Sequence, residues 1–210
     1  MKSVACAVAL SSLVLASPAS AEIIDERPSN EGDHNSGFLF RGTLGVGYQA
    51  LTVSQEVLGT DFETSVSGLG ASLGVALGGF VIPNLAINAD LYGSTIIDPT
   101  LEAEGQEVDV DASITYAAIG VGVTYYIMPL NLYVAGSLGF GRMTFEQNGE
   151  EFESEIGFSV HAAVGKEWFV NSDWGLGVAA ELTWADVPTE VDDASASYLG
   201  FNVAFSFTYN

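Results

Sequence analysis

Leu199-Gly200-Phe201-Asn202-Val203-Ala204-Phe205-Ser206-Phe207-Thr208-Tyr209 decides the fold. Every odd position is a large apolar or aromatic side chain; every even one is Gly, Asn, Ala, Ser or Thr. Such alternation has the period of two that belongs to a β-strand, and no helical face sustains it. A strand of about ten residues, apolar on one side, has the length of a tilted bilayer crossing.

Working back along the chain, the same alternation recurs seven times. Phe38, Phe40, Leu44, Val46, Tyr48 and Ala50 stand opposite Arg41, Thr43, Gly45, Gly47 and Gln49. Further stretches run from Leu69 to Leu77, Leu85 to Tyr92, Ala117 to Tyr125, Leu132 to Gly141, Ile156 to Gly165 and Leu176 to Trp184. Three connections are short: Phe80 to Asn84, Ile127 to Asn131 and Val170 to Asp173. Between them lie longer polar segments at 54–66, 95–112, 144–155 and 186–195, read as loops. Eight strands with alternating short turns and long loops place both chain ends on the short-turn side. The expected fold is an all-β, eight-stranded antiparallel up-and-down transmembrane β-barrel over residues 37–210.

Composition separates grease from charge. The chain has 210 residues, 48% hydrophobic, with 27 acidic against five basic residues and a net charge of −22. Eighteen of the 27 acids fall in the four long segments, so the acidity belongs to one end of the molecule. A charge of this sign argues against a nucleic-acid partner. One cysteine excludes a disulfide framework or a cysteine-based zinc cluster.

Met1-Lys2, the apolar run from Val4 to Leu15 and the small residues Ala19 and Ala21 read as a signal peptide over 1–21. The run is too short for a spanning helix. Cleavage would remove Cys6. Residues 22–36 lack an apolar period and are expected to form a flexible N-terminal tail, with His34 a solvated loop residue.

Two barrels fit the alternation, a soluble lipocalin-like carrier with apolar side chains inside and a membrane barrel with them outside. The face of Gly, Ser, Ala and Thr suits a narrow interior, whereas inward apolar rows would overfill the lumen and leave Arg41, Asp90 and Glu181 outside among glycines. Outward apolar rows are therefore expected. Phe38, Phe40, Tyr125, Trp168, Phe169, Trp174, Phe205, Phe207 and Tyr209 gather at the short-turn end, and Tyr48, Phe140 and Trp184 at the loop end. These suggest two interfacial girdles, with Lys166, Trp168, Trp174, Trp184 and Tyr209 as anchors.

The signal peptide, eight strands, short Pro-Asn turns and aromatic last strand resemble small bacterial outer-membrane proteins of the OmpA/OmpX barrel type, over about residues 37–210. The pattern departs from that family in two respects. The chain ends Phe207-Thr208-Tyr209-Asn210, with its aromatic one place before the end, and no peptidoglycan-binding domain is expected after the barrel. The resemblance implies a cell outer-membrane location, a monomer without cofactors, and outer-membrane lipids and lipopolysaccharide as partners.

The inward polar set comprises Arg41, Gln49, Asn88, Asp90, Tyr92, His161, Glu167, Glu181 and Asn202. Eight strands enclose little more than side chains, so these groups should meet as an ion-paired plug in which Arg41 partly neutralises the carboxylates. The alternative is a narrow channel for small solutes or cations. His161, Asp90 and one of Ser72, Ser137 or Ser159 form a hydrolase triad on paper, but no nucleophile–base pair is evident and no enzyme is expected. Glu102, Glu104, Glu107, Asp109 and Asp111 suggest a divalent-cation loop, against the plainer reading of a solvated, self-repelling one. Arg142, at the outer end of a strand, suggests contact with a lipopolysaccharide phosphate. The expected role is envelope structure or surface interaction through acidic loops.

Overall fold

The computed structural model describes residue 34 and residues 37–57, 60–97, 99–103, 106–109, 112–147, 149–188 and 194–210. Strand β1 spans Phe38–Val57, β2 Thr60–Ile82, β3 Leu85–Ile97, β4 Thr100–Ala103, β5 Gln106–Asp109 and β6 Ser113–Ile127. Strand β7 spans Leu132–Gln147, β8 Glu150–Glu153, β9 Gly157–Phe169, β10 Trp174–Pro188 and β11 Ala194–Tyr209. Eight of these, in the order β1-β11-β10-β9-β7-β6-β3-β2, pair antiparallel, and β1 pairs with β2 to close the ring. Closure leaves no sheet edge within the wall, so backbone groups are satisfied by neighbouring strands where lipid offers no hydrogen bonds.

The orientation of the side chains is unambiguous. On β6, exposure alternates residue by residue, with Ile119, Val121 and Val123 outside and Ala118, Gly120 and Gly122 inside. Outward side chains such as Leu69 (76% exposed) and Val46 (69%) belong to an apolar wall that encircles the barrel. Soluble surfaces rarely carry an apolar patch of more than a few hundred Å²; this belt requires acyl chains. The lipocalin arrangement is thereby excluded.

The strands are longer than the alternation suggests. With 20 and 23 residues, β1 and β2 exceed the roughly 9–11 that a crossing needs, and stand well clear of the membrane at the loop end. The segments read as loops are therefore largely strand. Residues 54–57 pair with 60–63, β4 pairs with both β2 and β5, and β8 pairs with β7. Here the outward face turns polar, with Thr52, Ser54, Ser65 and Ser67 in register, while Leu51 and Val53 face the interior cluster, so the apolar row of the wall breaks off although the strand continues.

At the opposite end the connections are tight. Asn84 (φ 67°) and Asn131 (φ 48°) occupy the left-handed region that asparagine tolerates in turns. Strand β2 runs to Ile82 with a bulge near Phe80, which shortens its turn to Pro83 and Asn84. Between β9 and β10, Asn171 Oδ1 accepts from the amides of Asp173 and Trp174 at 2.9 and 2.8 Å.

Candidate functional site in the barrel lumen

Three layers fill the interior. At the loop end Leu51, Tyr92, Tyr116, Met143, Val187 and Tyr198 form a buried cluster. Tyr116 stacks on Tyr198 with centroids 4.5 Å apart. Tyr92 and Tyr116 both donate to Ser159 Oγ, at 2.8 and 2.6 Å, and Tyr198 shares a hydrogen bond with Ser94. At the short-turn end Leu39, Ala86, Tyr126 and Tyr133 form a second cluster.

Between them lies the polar layer. His161 Nδ1 donates to Asp90 Oδ2 at 3.0 Å, Ser137 Oγ donates to the same oxygen at 2.7 Å, and the Tyr92 ring stacks on the imidazole at 4.5 Å. Arg41 donates to Thr124 Oγ1 (3.2 Å), which in turn donates to Asn88 Oδ1 (3.2 Å). The Arg41 guanidinium lies 4.4 Å from the centre of the Tyr133 ring. Gln49 Nε2 donates to Asn202 Oδ1 at 2.8 Å. Arg41, Asp90, His161 and Glu181 enclose a cavity of about 10 Å³, enough for a single water. Nearer the short-turn end Glu167 is buried, its Oε1 accepting from Thr208 (2.7 Å) and Ser206 (3.3 Å).

Asn88, Asp90, His161, Glu181 and Asn202 are thus buried at mid-barrel level, with Arg41 just below them and Glu167 lower still. Arg41 makes no contact ion pair with a carboxylate among the described residues. It lies among them, lining one cavity with Asp90 and Glu181, while its direct contacts are a hydroxyl and an aromatic face, and the contact partner of Asp90 is His161. Arg41 enters the lumen from β1 beside Thr208, where the neighbouring inward groups are hydroxyls and tyrosines.

Residues 6–207 match the family described as outer membrane protein beta-barrel domain. The chain belongs to that family. In fold it is similar to the outer membrane protein OprG from Pseudomonas aeruginosa, at 13% identity over 86% of this chain and 99% of that one, TM-score 0.50. It is also similar to Neisserial surface protein A, NspA, at 15% identity over 80% and 97% of the two chains, TM-score 0.49. Identity this low speaks to fold and not to activity. No curated protein matches the chain in sequence.

In this outer-membrane barrel the paper triad does not assemble. The imidazole–carboxylate pair is present, but Ser137 bonds to Asp90 and Ser159 receives two tyrosine hydroxyls. Ser72 Oγ is buried with no hydrogen-bond partner. The proposed cation segment folds as the β4–β5 hairpin, with Glu102 directly across from Glu107 and Asp109 across from Thr100. Glu104 and Asp111 lie outside the described residues, as do the signal peptide and the tail apart from His34. Among the described residues no group of three or more His, Cys, Asp or Glu is arranged to hold a metal ion. Arg142, read as a phosphate contact, is engaged by Glu153 at 2.7 Å on the exposed β7–β8 hairpin.

Sequence reasoning missed several interior residues. Tyr116, Tyr126 and Tyr198 have inward parity, but the polar reading of the inner face passed over them. Glycines make room for these rings: a Cβ at Gly165 would strike the Tyr133 ring, and one at Gly200 would lie 2.7 Å from the Tyr198 hydroxyl. The other miss is His34. Far from being solvated, it is 0% exposed and packed in the short-turn mouth. Phe169, assigned to the outer girdle, also turns inward there, 5.3 Å from the His34 ring. The remaining anchors keep their outward stations: Trp168, Trp174, Trp184 and Tyr209 are 37–56% exposed, and Lys166 Nζ lies 5.6 Å from the Trp168 ring centre.

Proposed function

We propose that this outer-membrane barrel is non-enzymatic and closed to steady ion flow, and that it serves the envelope through its acidic loop end. The observation that carries the reading is the stack of three filled layers, two tyrosine-rich and one polar, in a lumen where the cavity lined by Arg41, Asp90, His161 and Glu181 measures about 10 Å³. Buried charges without partners are costly, and the hydrogen bonds of Asp90, His161 and Glu167 give this set the character of a structural filling. At the other extreme, Glu146, Glu150, Glu151, Glu153 and Glu155 stand on or beside the exposed β7–β8 hairpin, with Glu146 directly opposite Glu151. Like charges in register repel. Divalent cations, cationic peptides, or cations shared with lipopolysaccharide phosphates are the partners this surface favours. Residues 1–21 serve as the export signal in this reading, and Lys166, Trp168, Trp174, Trp184 and Tyr209 anchor the barrel at the interfaces.

Planar-bilayer recording tests the closure. The refolded protein is expected to show no steady unitary current, and Glu181→Ala to leave that silence unchanged. A stable, cation-selective conductance in the unaltered protein would overturn the reading in favour of a narrow channel.

A further inference from the structure

The short-turn mouth carries a feature that neither the filled lumen nor the acidic loops require. His34 is completely buried there, although the segment around it is strongly acidic and has no apolar period. Its ring stacks on Tyr126 with centroids 3.6 Å apart and 20° between planes. Phe80 and Phe169 flank it at 5.5 and 5.3 Å. Nε2 donates to Asn131 Oδ1 at 2.8 Å, and the His34 carbonyl accepts from the Asn84 amide at 2.7 Å. Two further backbone bonds tie the same region together, Phe80 N to the Gly37 carbonyl and Glu167 N to the Asn131 carbonyl, each at 3.0 Å.

Asn84 and Asn131 are the left-handed residues of two different turns, β2–β3 and β6–β7. Turn asparagines normally face water, yet Asn131 is buried. Burying an imidazole costs least when its N–H is hydrogen-bonded and its faces are covered. The Asn131 amide oxygen takes the N–H, and three aromatic rings cover the faces.

We infer that the short-turn mouth is a receptor for a planar imidazole ring, filled by His34, which latches position 34 to the turns around the opening. The recognised chemistry is a flat heteroaromatic ring with one N–H donor. The latch bridges three strand connections, since Asn131 and Phe169 at the end of β9 meet the ring while the Asn84 amide meets the main-chain carbonyl of the same residue. It stands apart from the proposed closure of the lumen, because docking is read at a backbone amide and closure as a current.

Amide exchange followed by NMR in lipid nanodiscs tests the latch, using the whole refolded chain. The Asn84 amide should be protected in the unaltered protein. In His34→Ala its exchange should accelerate on the order of tenfold or more, because the contacts that suppress local opening are lost. Excess free imidazole should then bind the vacated cage of this variant, read as a saturable chemical-shift change at the Asn131 side-chain amide, and should leave that amide of the unaltered protein unmoved. Heat-modifiable gel migration confirms that the variant barrel is folded. Unchanged Asn84 exchange in His34→Ala would overturn the inference. Absence of any imidazole-dependent shift at Asn131 in the variant would overturn it too, since the cage would then not recognise the ring.

Discussion

At the residue scale, Asp90 is the group on which the middle layer turns. It accepts from His161 and Ser137 through one oxygen, and truncating it would leave both donors buried without an acceptor. Asp90→Ala should therefore lower stability by about 2–3 kcal/mol, the usual range for losing hydrogen bonds to a charged group and stranding their partners. Asp90→Asn keeps an accepting oxygen and should cost less. Urea midpoints for refolding in lipid vesicles measure both, and equal midpoints for the unaltered protein and Asp90→Ala would show the layer to be energetically idle. How Arg41 is satisfied could not be foreseen from sequence. Its strand parity was plain, but choosing between a carboxylate, a hydroxyl and the face of Tyr133 needs the depth of each neighbour along the barrel. His34 was opaque for a related reason: isolated in a segment without periodicity, it bears no local sign that two distant turns and Tyr126 converge on it.

At the element scale, the parity of a strand is the most legible property of this chain, because each shift of one residue exchanges lipid for lumen. The rows Leu199 to Tyr209 and Ala117 to Tyr125 by themselves specify a barrel with its apolar side chains outside. The ends of the strands were not legible. Beyond the membrane the outer face needs no apolar side chains, so β1, β2 and the β7–β8 hairpin continue through residues whose pattern resembles a loop. The same boundary makes a prediction about cost. Val121 on β6 is 67% exposed and lies within the apolar belt; Val121→Arg should destabilise by about 2–4 kcal/mol, as an outward charge near the bilayer midplane does. Phe152 on β8 is 60% exposed but lies on the extramembrane hairpin; Phe152→Arg should cost under about 1 kcal/mol, the worth of a cross-strand pair with Phe145. The two variants are compared by urea titration in the same vesicles, and similar costs would mean that the belt is misplaced. Inside the wall, Gly165→Val would drive a branched side chain into the Tyr133 ring. Overpacking of this kind costs about 1–3 kcal/mol and should appear as a lowered midpoint in the same assay.

At the scale of the whole molecule, the architecture assigns each indole a depth. Trp168 and Trp174 lie at the short-turn ends of β9 and β10, paired with Leu176 and Tyr209 respectively. Trp184 lies at the far end of β10, edge-on to Phe158 at 6.5 Å. All three face outward and are at least 37% exposed. If the apolar belt is about 25 Å tall with aromatic girdles at its two rims, every tryptophan of the chain sits near a headgroup layer and none near the midplane. Lipids brominated close to the headgroup should therefore quench the intrinsic fluorescence of the reconstituted protein more strongly than lipids brominated near the chain end. Replacing Trp168 and Trp174 with Phe leaves only Trp184 as reporter, and the preference for shallow quenching should survive. That second result is the discriminating one. A barrel inserted from one end but only partly embedded would keep the short-turn tryptophans shallow while leaving Trp184 in water, beyond reach of either quencher. Shallow quenching at both rims requires that the bilayer span the full distance between the girdles, with β1, β2 and the acidic hairpins projecting past it. Loss of quenching at Trp184 would move the membrane boundary down the barrel and place Phe140, Phe158 and Leu199 in water, where an apolar ring of that size has no physical support.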